Sequence, residues 1–162
     1  MHIEELTTFG EAEFRKIQQL LPQLTGRTDG CHRAGFEALL AANQAHLLIL
    51  REEGAIAGML IVAIYPTLSG GRKAWIEDVV VDAECRGKGY GKALVSYAIQ
   101  FARQQGADSV SLTSAPARAA ANRLYRSLGF TQRETNLYQL KIRQAARTSN
   151  CREPASKIVS GG

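Results

Sequence analysis

Residues 86–92 read Arg-Gly-Lys-Gly-Tyr-Gly-Lys. Three glycines fall within five positions, with Arg86, Lys88 and Lys92 around them. Glycine lets a backbone approach a ligand closely and leaves its N–H unobstructed. The stretch follows a β-branched run, Ile76 and then Val79, Val80 and Val81, which reads as a strand. After it, Leu94, Ala98 and Phe101 recur at helical spacing up to Arg103, with Gly106 as a stop. A helix opening at this point brings about half a positive charge to its N-terminus. The chemistry on offer is anion binding, and the anion that fits best is a phosphate or pyrophosphate.

Spacing narrows the ligand. A phosphate loop of the Walker type needs Gly-x-x-x-x-Gly-Lys-Ser/Thr. With Gly91-Lys92 as its centre, the first glycine falls on Arg86 and the hydroxyl residue on Ala93. A dinucleotide loop needs Gly-x-Gly-x-x-Gly, and with Gly87 and Gly89 as its first two glycines the third falls on Lys92. The pattern that is met is Arg-x-x-Gly-x-Gly, by Arg86, Gly89 and Gly91, directly after Val-Val-Val-Asp. It resembles the pyrophosphate loop of the GNAT family of N-acetyltransferases, which use acetyl-CoA.

A second constellation lies downstream. Ala117, Ala121, Leu124 and Leu128 share one helical face, while Arg118, Asn122 and Tyr125 fall at i, i+4 and i+7 as a second stripe. Such a stripe is commonly a solvated face. This one carries a tyrosine and starts just past a strand end, where open α/β sheets hold their ligands. Residues 117–130, with Asn122, Leu124-Tyr125 and Leu128-Gly129-Phe130, look like the second acetyl-CoA motif of the same family. With the strand pattern included, the resemblance covers residues 1–142.

The resemblance implies a mixed α/β sheet of about seven strands with about four helices distributed on both faces. It implies that two parallel strands, ending near Val81 and Thr113, splay to admit the pantetheine arm. Val79, Val80 and Val81 would offer backbone contacts to acetyl and pantetheine. Arg86, Gly87, Lys88, Gly89, Tyr90, Gly91 and Lys92 would surround the pyrophosphate. Asn122 would contact the cofactor arm and Tyr125 would approach the sulfur. The activity implied is transfer of acetyl from acetyl-CoA to a primary amine of a small molecule or peptide, by direct attack and without a metal. Attack needs a deprotonated amine, a donor for the developing oxyanion, which a backbone N–H near Val79 could supply, and an acid for the leaving thiolate. A phenol of pKa ~10 suits a thiol of ~8.5, so Tyr125 is the candidate acid. Glu77 is the candidate base, acting through water. On a regular strand it shares a face with Val79 and Val81, and Asp78 points the other way unless a bulge intervenes. A salt-bridging role for Glu77 and a non-catalytic acyl-CoA-binding or regulatory module remain open alternatives.

The elements that must hold these residues follow from period and punctuation. Residues 2–6 read as a short strand. Residues 11–21 form an amphipathic helix with Phe14, Ile17 and Leu21 on one face, ended by Pro22. A polar loop to residue 33 leads to a shorter helix carrying Phe36, Leu39 and Leu40. Residues 46–51 and 55–65 are strands about a tight turn at Glu52-Glu53-Gly54. A loop at 66–73 delivers the central strand. Residues 109–113 are the next strand, and Pro116 falls in the first turn of a helix that runs to about Leu128. Gly129 and Phe130 read as its left-handed cap. Residues 131–133 and 137–142 are expected as two last strands. From residue 143 to 162 periodicity is lost, and the segment reads as a flexible basic tail. The resemblance implies that the amine acceptor is set by the loop between the first two helices and the loop before the central strand, here 22–33 and 66–73, and aminoglycoside, polyamine, amino acid, sugar amine and protein N-terminus all stay open.

Composition sets outer bounds. A chain of 162 residues is one domain by the usual prior. Of the net charge of +5, +4 lies from Lys141 onward, in five basic residues and one acid. A body so near neutrality does not advertise a nucleic-acid surface. Cys31, Cys85 and Cys151 are odd in number and widely spaced, which suits a reducing compartment better than a disulfide framework. The N-terminus lacks a signal-peptide layout, and the apolar run 55–65 is too short to span a bilayer. The expectation is a cytoplasmic protein with no membrane contact, for which a homodimer is compatible with the sequence.

Overall fold

The structure is a computed structural model that describes residues 1–27 and 31–142. The expected tail at 143–162 and residues 28–30 of the first loop lie outside the described residues. The chain divides into two compact units, Met1–Thr131 and Gln132–Gly162.

The first unit is built on a five-stranded sheet in the order β1 (His2–Glu5), β2 (Ala45–Glu52), β3 (Ala55–Thr67), β4 (Gly71–Val81), β5 (Ser109–Leu112). Its first four strands are antiparallel neighbours, and β5 lies parallel to β4. The helices are α1 (Glu11–Thr25), α2 (Arg33–Leu40), α3 (Tyr90–Gln104) and α4 (Ala119–Ser127). This is the mixed α/β architecture expected, with five strands among the described residues in place of seven.

Alternation along the strands feeds two cores, one on each face. Leu48 and Leu50 of β2 pack with Leu60, Val62 and Ile64 of β3 and with Leu94, Val95, Ala98 and Ala102 of α3. Leu47 and Ile49 point the other way, to Phe14, Ile17 and Leu20 of α1 and Phe36 of α2. The helices therefore cover both faces. The β2–β3 hairpin turns at Glu53 and Gly54, both at positive φ (52° and 84°), the mirror-image turn that matches strand twist.

Four boundaries differ from expectation. Helix α1 runs through Pro22 to Thr25. Proline forfeits one helical bond, but Leu21 and Leu24 pack against the core on that side. Gly26, at φ 70°, then closes the end by donating to the Pro22 carbonyl at 2.8 Å. Burial of the last turn outweighs the missing bond. The 66–73 loop shrinks to three residues, because β3 and β4 pair out to Thr67↔Gly71. Pro116 precedes α4 rather than opening it. The Ala115 carbonyl accepts from Arg118 N–H at 3.0 Å and from Asn122 Nδ2 at 2.9 Å, which holds a separate turn ahead of the helix.

The fourth difference lies mostly in the second unit, where the two last strands were expected. Residues 132–142 carry neither strand nor helix. Leu137, Tyr138, Leu140 and Ile142 are all exposed. Alternation alone makes no strand where no ladder partner takes up the backbone groups. No helix among the described residues is long and apolar enough to cross a membrane.

Candidate functional site

The site begins with an irregularity in β4. Met59 pairs with Val80, and Ile61 pairs with Glu77. Leu60 of β3 thus faces two residues of β4, Asp78 and Val79, which is a β-bulge. Asp78 sits there at φ 51°. The extra residue changes the parity of the strand. Ala74 and Ile76 belong to the core under α3, and so do Val79 and Val81, whereas Val80 is buried in the core under α1. The regular-strand expectation that Glu77 shares a face with Val79 and Val81 is corrected by this bulge. Glu77 lies on the far side of it and is exposed.

The parallel ladder between β4 and β5 ends at Ile76↔Leu112. Beyond that pair, residues 77–81 continue without a β5 partner, so the two strands part as the resemblance implied. A cavity of about 210 Å³ opens at the parting, lined by Ile76, Glu77, Asp78 and Val79 of β4, Leu112 and Thr113, Leu24 and Thr25 of α1, Arg118 and Tyr125. Arg118 is fixed there by donating to the Leu24 carbonyl at 2.9 Å.

Tyr125 is held by the end of its helix. Phe130 N–H donates to the Tyr125 carbonyl at 3.1 Å and Gly129 N–H to the Arg126 carbonyl at 3.0 Å, with Gly129 at φ 90°. This is the left-handed cap that Gly129-Phe130 suggested, and it sets the Phe130 ring edge-on to Tyr125 at 6.0 Å. Burial pushes the Tyr125 phenol up in pKa, with the nearby Arg118 charge opposing it. Burial likewise pushes up the Asp78 carboxyl. At the end of β5, Ser114 Oγ is buried with no hydrogen-bond partner among the described residues.

The glycine-rich loop follows β4 directly. Asp82 accepts from Glu84 N–H at 3.2 Å and from Lys16 Nζ at 2.6 Å, anchoring the short 3-10 turn Ala83–Cys85. Gly87 and Gly89 both adopt φ 82°, a left-handed conformation that glycine alone takes freely. The last inward bond of the loop is Arg86 N–H to the Ala83 carbonyl, and the first of the helix is Ala93 N–H to the Gly89 carbonyl. The backbone N–H groups from Gly87 to Lys92 thus have no acceptor among the described residues. Arg86 Nε folds back onto the Val81 carbonyl at 3.3 Å.

Sequence reasoning missed Glu52. It sits at the end of β2, yet it accepts from the Tyr90 hydroxyl and from Lys88 Nζ at 3.0 Å. The hydrogen bond from Tyr90, and then that from Lys88, hold its carboxyl below the usual range. No local signal reveals a partner so distant in sequence. The sequence-derived residues thus divide into two groups. Glu77, Val79 and Tyr125 line the cavity, while Arg86, Gly87, Lys88, Gly89, Tyr90, Gly91 and Lys92 form the loop and the first turn of α3. Val80 packs away from both, and Asn122 is engaged with the Ala115 carbonyl.

The profile of the acetyltransferase (GNAT) family matches residues 12–130. The uncharacterised N-acetyltransferase YhdJ of Bacillus subtilis is 32% identical over 133 residues, covering 81% of this chain and 92% of that protein. Glucosamine 6-phosphate N-acetyltransferase 1 of Oryza sativa is 31% identical over 138 residues, covering 82% and 81% respectively. Among solved structures, a transcriptional regulator from Bacillus halodurans C-125 superposes with a TM-score of 0.75 at 26% identity, over 86% of this chain and 100% of that one.

Proposed function

The chain belongs to the acetyltransferase (GNAT) family and is an acetyl-CoA-dependent acyltransferase, and we propose that it acetylates a primary amine of a small molecule or peptide. One observation carries the reading. The strand that opens away from β5 at a cavity holding Tyr125, Glu77 and Asp78 is the same strand that runs on into the loop of free N–H groups.

The residues present fit the co-substrate. The unpaired N–H groups of residues 87–92 and the N-terminus of α3 suit a pyrophosphate. When bound, acetyl-CoA supplies an acyl thioester. The remaining roles belong to the chain. Asp78 and Val79 stand outside the register with β3, which favours a backbone N–H there as donor to the acyl oxygen. Tyr125 is the acid that gives its proton to the departing sulfur. A carboxylate of β4 receives a proton from the amine, with Glu77, acting through water, as the candidate read from the sequence. The relation to the Oryza sativa enzyme makes an amino sugar phosphate one acceptor to try, beside polyamines, aminoglycosides, amino acids and peptides.

Binding is tested by thermal unfolding with acetyl-CoA, NAD or ATP. A ligand at a hundredfold excess over its Kd stabilises by about 2.7 kcal/mol. Acetyl-CoA is expected to raise Tm clearly and the other two much less. Equal shifts, or none with millimolar acetyl-CoA, would overturn the reading.

A further inference from the structure

Six acidic side chains among the described residues are partly or fully buried: Glu4, Glu5, Glu13, Glu52, Asp78 and Asp82. Five are engaged. Arg51 serves Glu4 at 2.7 Å and Glu13 at 2.9 Å, and His46 serves Glu5 at 2.7 Å. Lys88 and Tyr90 serve Glu52, and Lys16 serves Asp82. Asp78 alone has no hydrogen bond or ion pair within the described residues. A part-buried carboxylate without a partner is costly, and here the backbone is bent to put it there. Asp78 occupies the left-handed region inside a strand, where side chains other than glycine are uncommon and aspartate is among the better tolerated. Glu53, also at positive φ, is accounted for by its hairpin turn. The bulge at Asp78 closes no turn. Such bulges re-aim side chains, and Asp78 is among the residues that line the cavity with Tyr125.

We propose that Asp78, rather than Glu77, is the group that takes the proton of the attacking amine, directly and within the same cavity as Tyr125. The inference rests on the acetyl-transfer reading above. An alkylammonium must shed two protons to become an amide. The first passes to the Asp78 carboxylate and on to solvent. The freed nitrogen lone pair forms the N–C bond, and the C–S electron pair leaves with the sulfur, which takes the Tyr125 proton. The second amine proton restores the Tyr125 phenol, so each turnover releases one proton. Burial pushes the Asp78 carboxyl upward, toward the range in which a base is most effective at neutral pH. The charged or titratable groups that line the cavity with Asp78 are Glu77 on its own strand, Arg118 just before α4 and Tyr125 within it. Leu112 and Thr113, and Leu24 and Thr25 of α1, bring no charge.

The test compares Asp78→Asn and Glu77→Gln with the wild type across pH, on an amine that the wild type acetylates. Asparagine tolerates the left-handed conformation. Asp78→Gly, free at that φ, is the second variant should the first fold poorly. Asp78→Asn is expected to lower kcat/KM by about 10²-fold or more at neutral pH and to abolish the acidic limb of the profile, while Glu77→Gln keeps that limb. A second readout needs no turnover. The folded Asp78 binds its proton more tightly than the unfolded chain does, so wild-type stability falls as pH rises from the unfolded aspartate value near ~3.9. Asp78→Asn is therefore expected to melt higher than the wild type at pH 8, with the gap closing in acid. The proposal is overturned if both Asp78 variants keep the wild-type rate and limb, if Glu77→Gln is the variant that loses the limb, or if no melting gap develops. A wild type that acetylates no amine, or that acetyl-CoA does not stabilise, overturns the acetyl-transfer reading and this assignment with it.

Discussion

Tyr125 is nearly buried, and its hydroxyl finds no acceptor among the described residues. Burial that raises its pKa keeps the phenol protonated through neutral pH, the state an acid must start from. Tyr125→Phe keeps the ring and its edge-on contact with Phe130. Acetyl-CoA should stabilise the variant as it does the wild type, while kcat falls by about 10²- to 10⁴-fold, the usual reach of general acid catalysis. An acyl donor with a more acidic thiol needs less help in leaving, so it should narrow the gap. Equal turnover of mutant and wild type with both donors would make Tyr125 a packing residue.

Elements hold the site through contacts that cross the sheet. Lys16 on α1 reaches Asp82 at the end of β4 at 2.6 Å, and the Gln23 side chain accepts from Ala83 N–H at 2.8 Å, so α1 steadies the start of the glycine-rich loop. The Lys16 hydrogen bond is the main cause that holds the Asp82 carboxyl below its ordinary range. A group depressed in this way adds stability above the unfolded aspartate value, and the gain is lost as pH falls through the lower folded value. Lys16→Met should therefore cost about 1–3 kcal/mol at neutral pH, read as a drop in Tm that shrinks in acid. An unchanged Tm at neutral pH would mean that solvent serves Asp82 as well as Lys16 does.

What could be read from the sequence at this scale was whatever short-range chemistry decides. Gly87 and Gly89 marked the loop, Gly129-Phe130 marked the cap, and residues 46–51 and 55–65 about Glu52-Glu53-Gly54 marked the hairpin. The β4 bulge was not legible, since Ile-Glu-Asp-Val-Val-Val reads as an unbroken strand. Its register is set by β3, where Gly58 lies so near that an added Cβ would stand 2.9 Å from the Val80 carbonyl. Pro22 misled because the burial of Leu24 is a tertiary fact. Leu137, Tyr138, Leu140 and Ile142 have the period of a strand, but period does not supply a pairing partner.

At the scale of the molecule, the sheet divides the work of its two cores. The core under α3 and α4 carries Tyr125 and the inward side chains Val79 and Val81, while the core under α1 and α2 buries Val80 and backs the bulge. The central claim is that this arrangement moves an acetyl group to an amine, rather than only binding an acyl-CoA. The most direct measurement follows free thiol release from acetyl-CoA across a panel of amines that includes glucosamine 6-phosphate, with mass detection of the product. The account predicts that thiol release requires at least one amine of the panel and is matched mole for mole by an acetyl gain on that amine. Stabilisation by acetyl-CoA with no amine acetylated anywhere in the panel would contradict it, and would make the protein an acyl-CoA-binding module on a transferase fold.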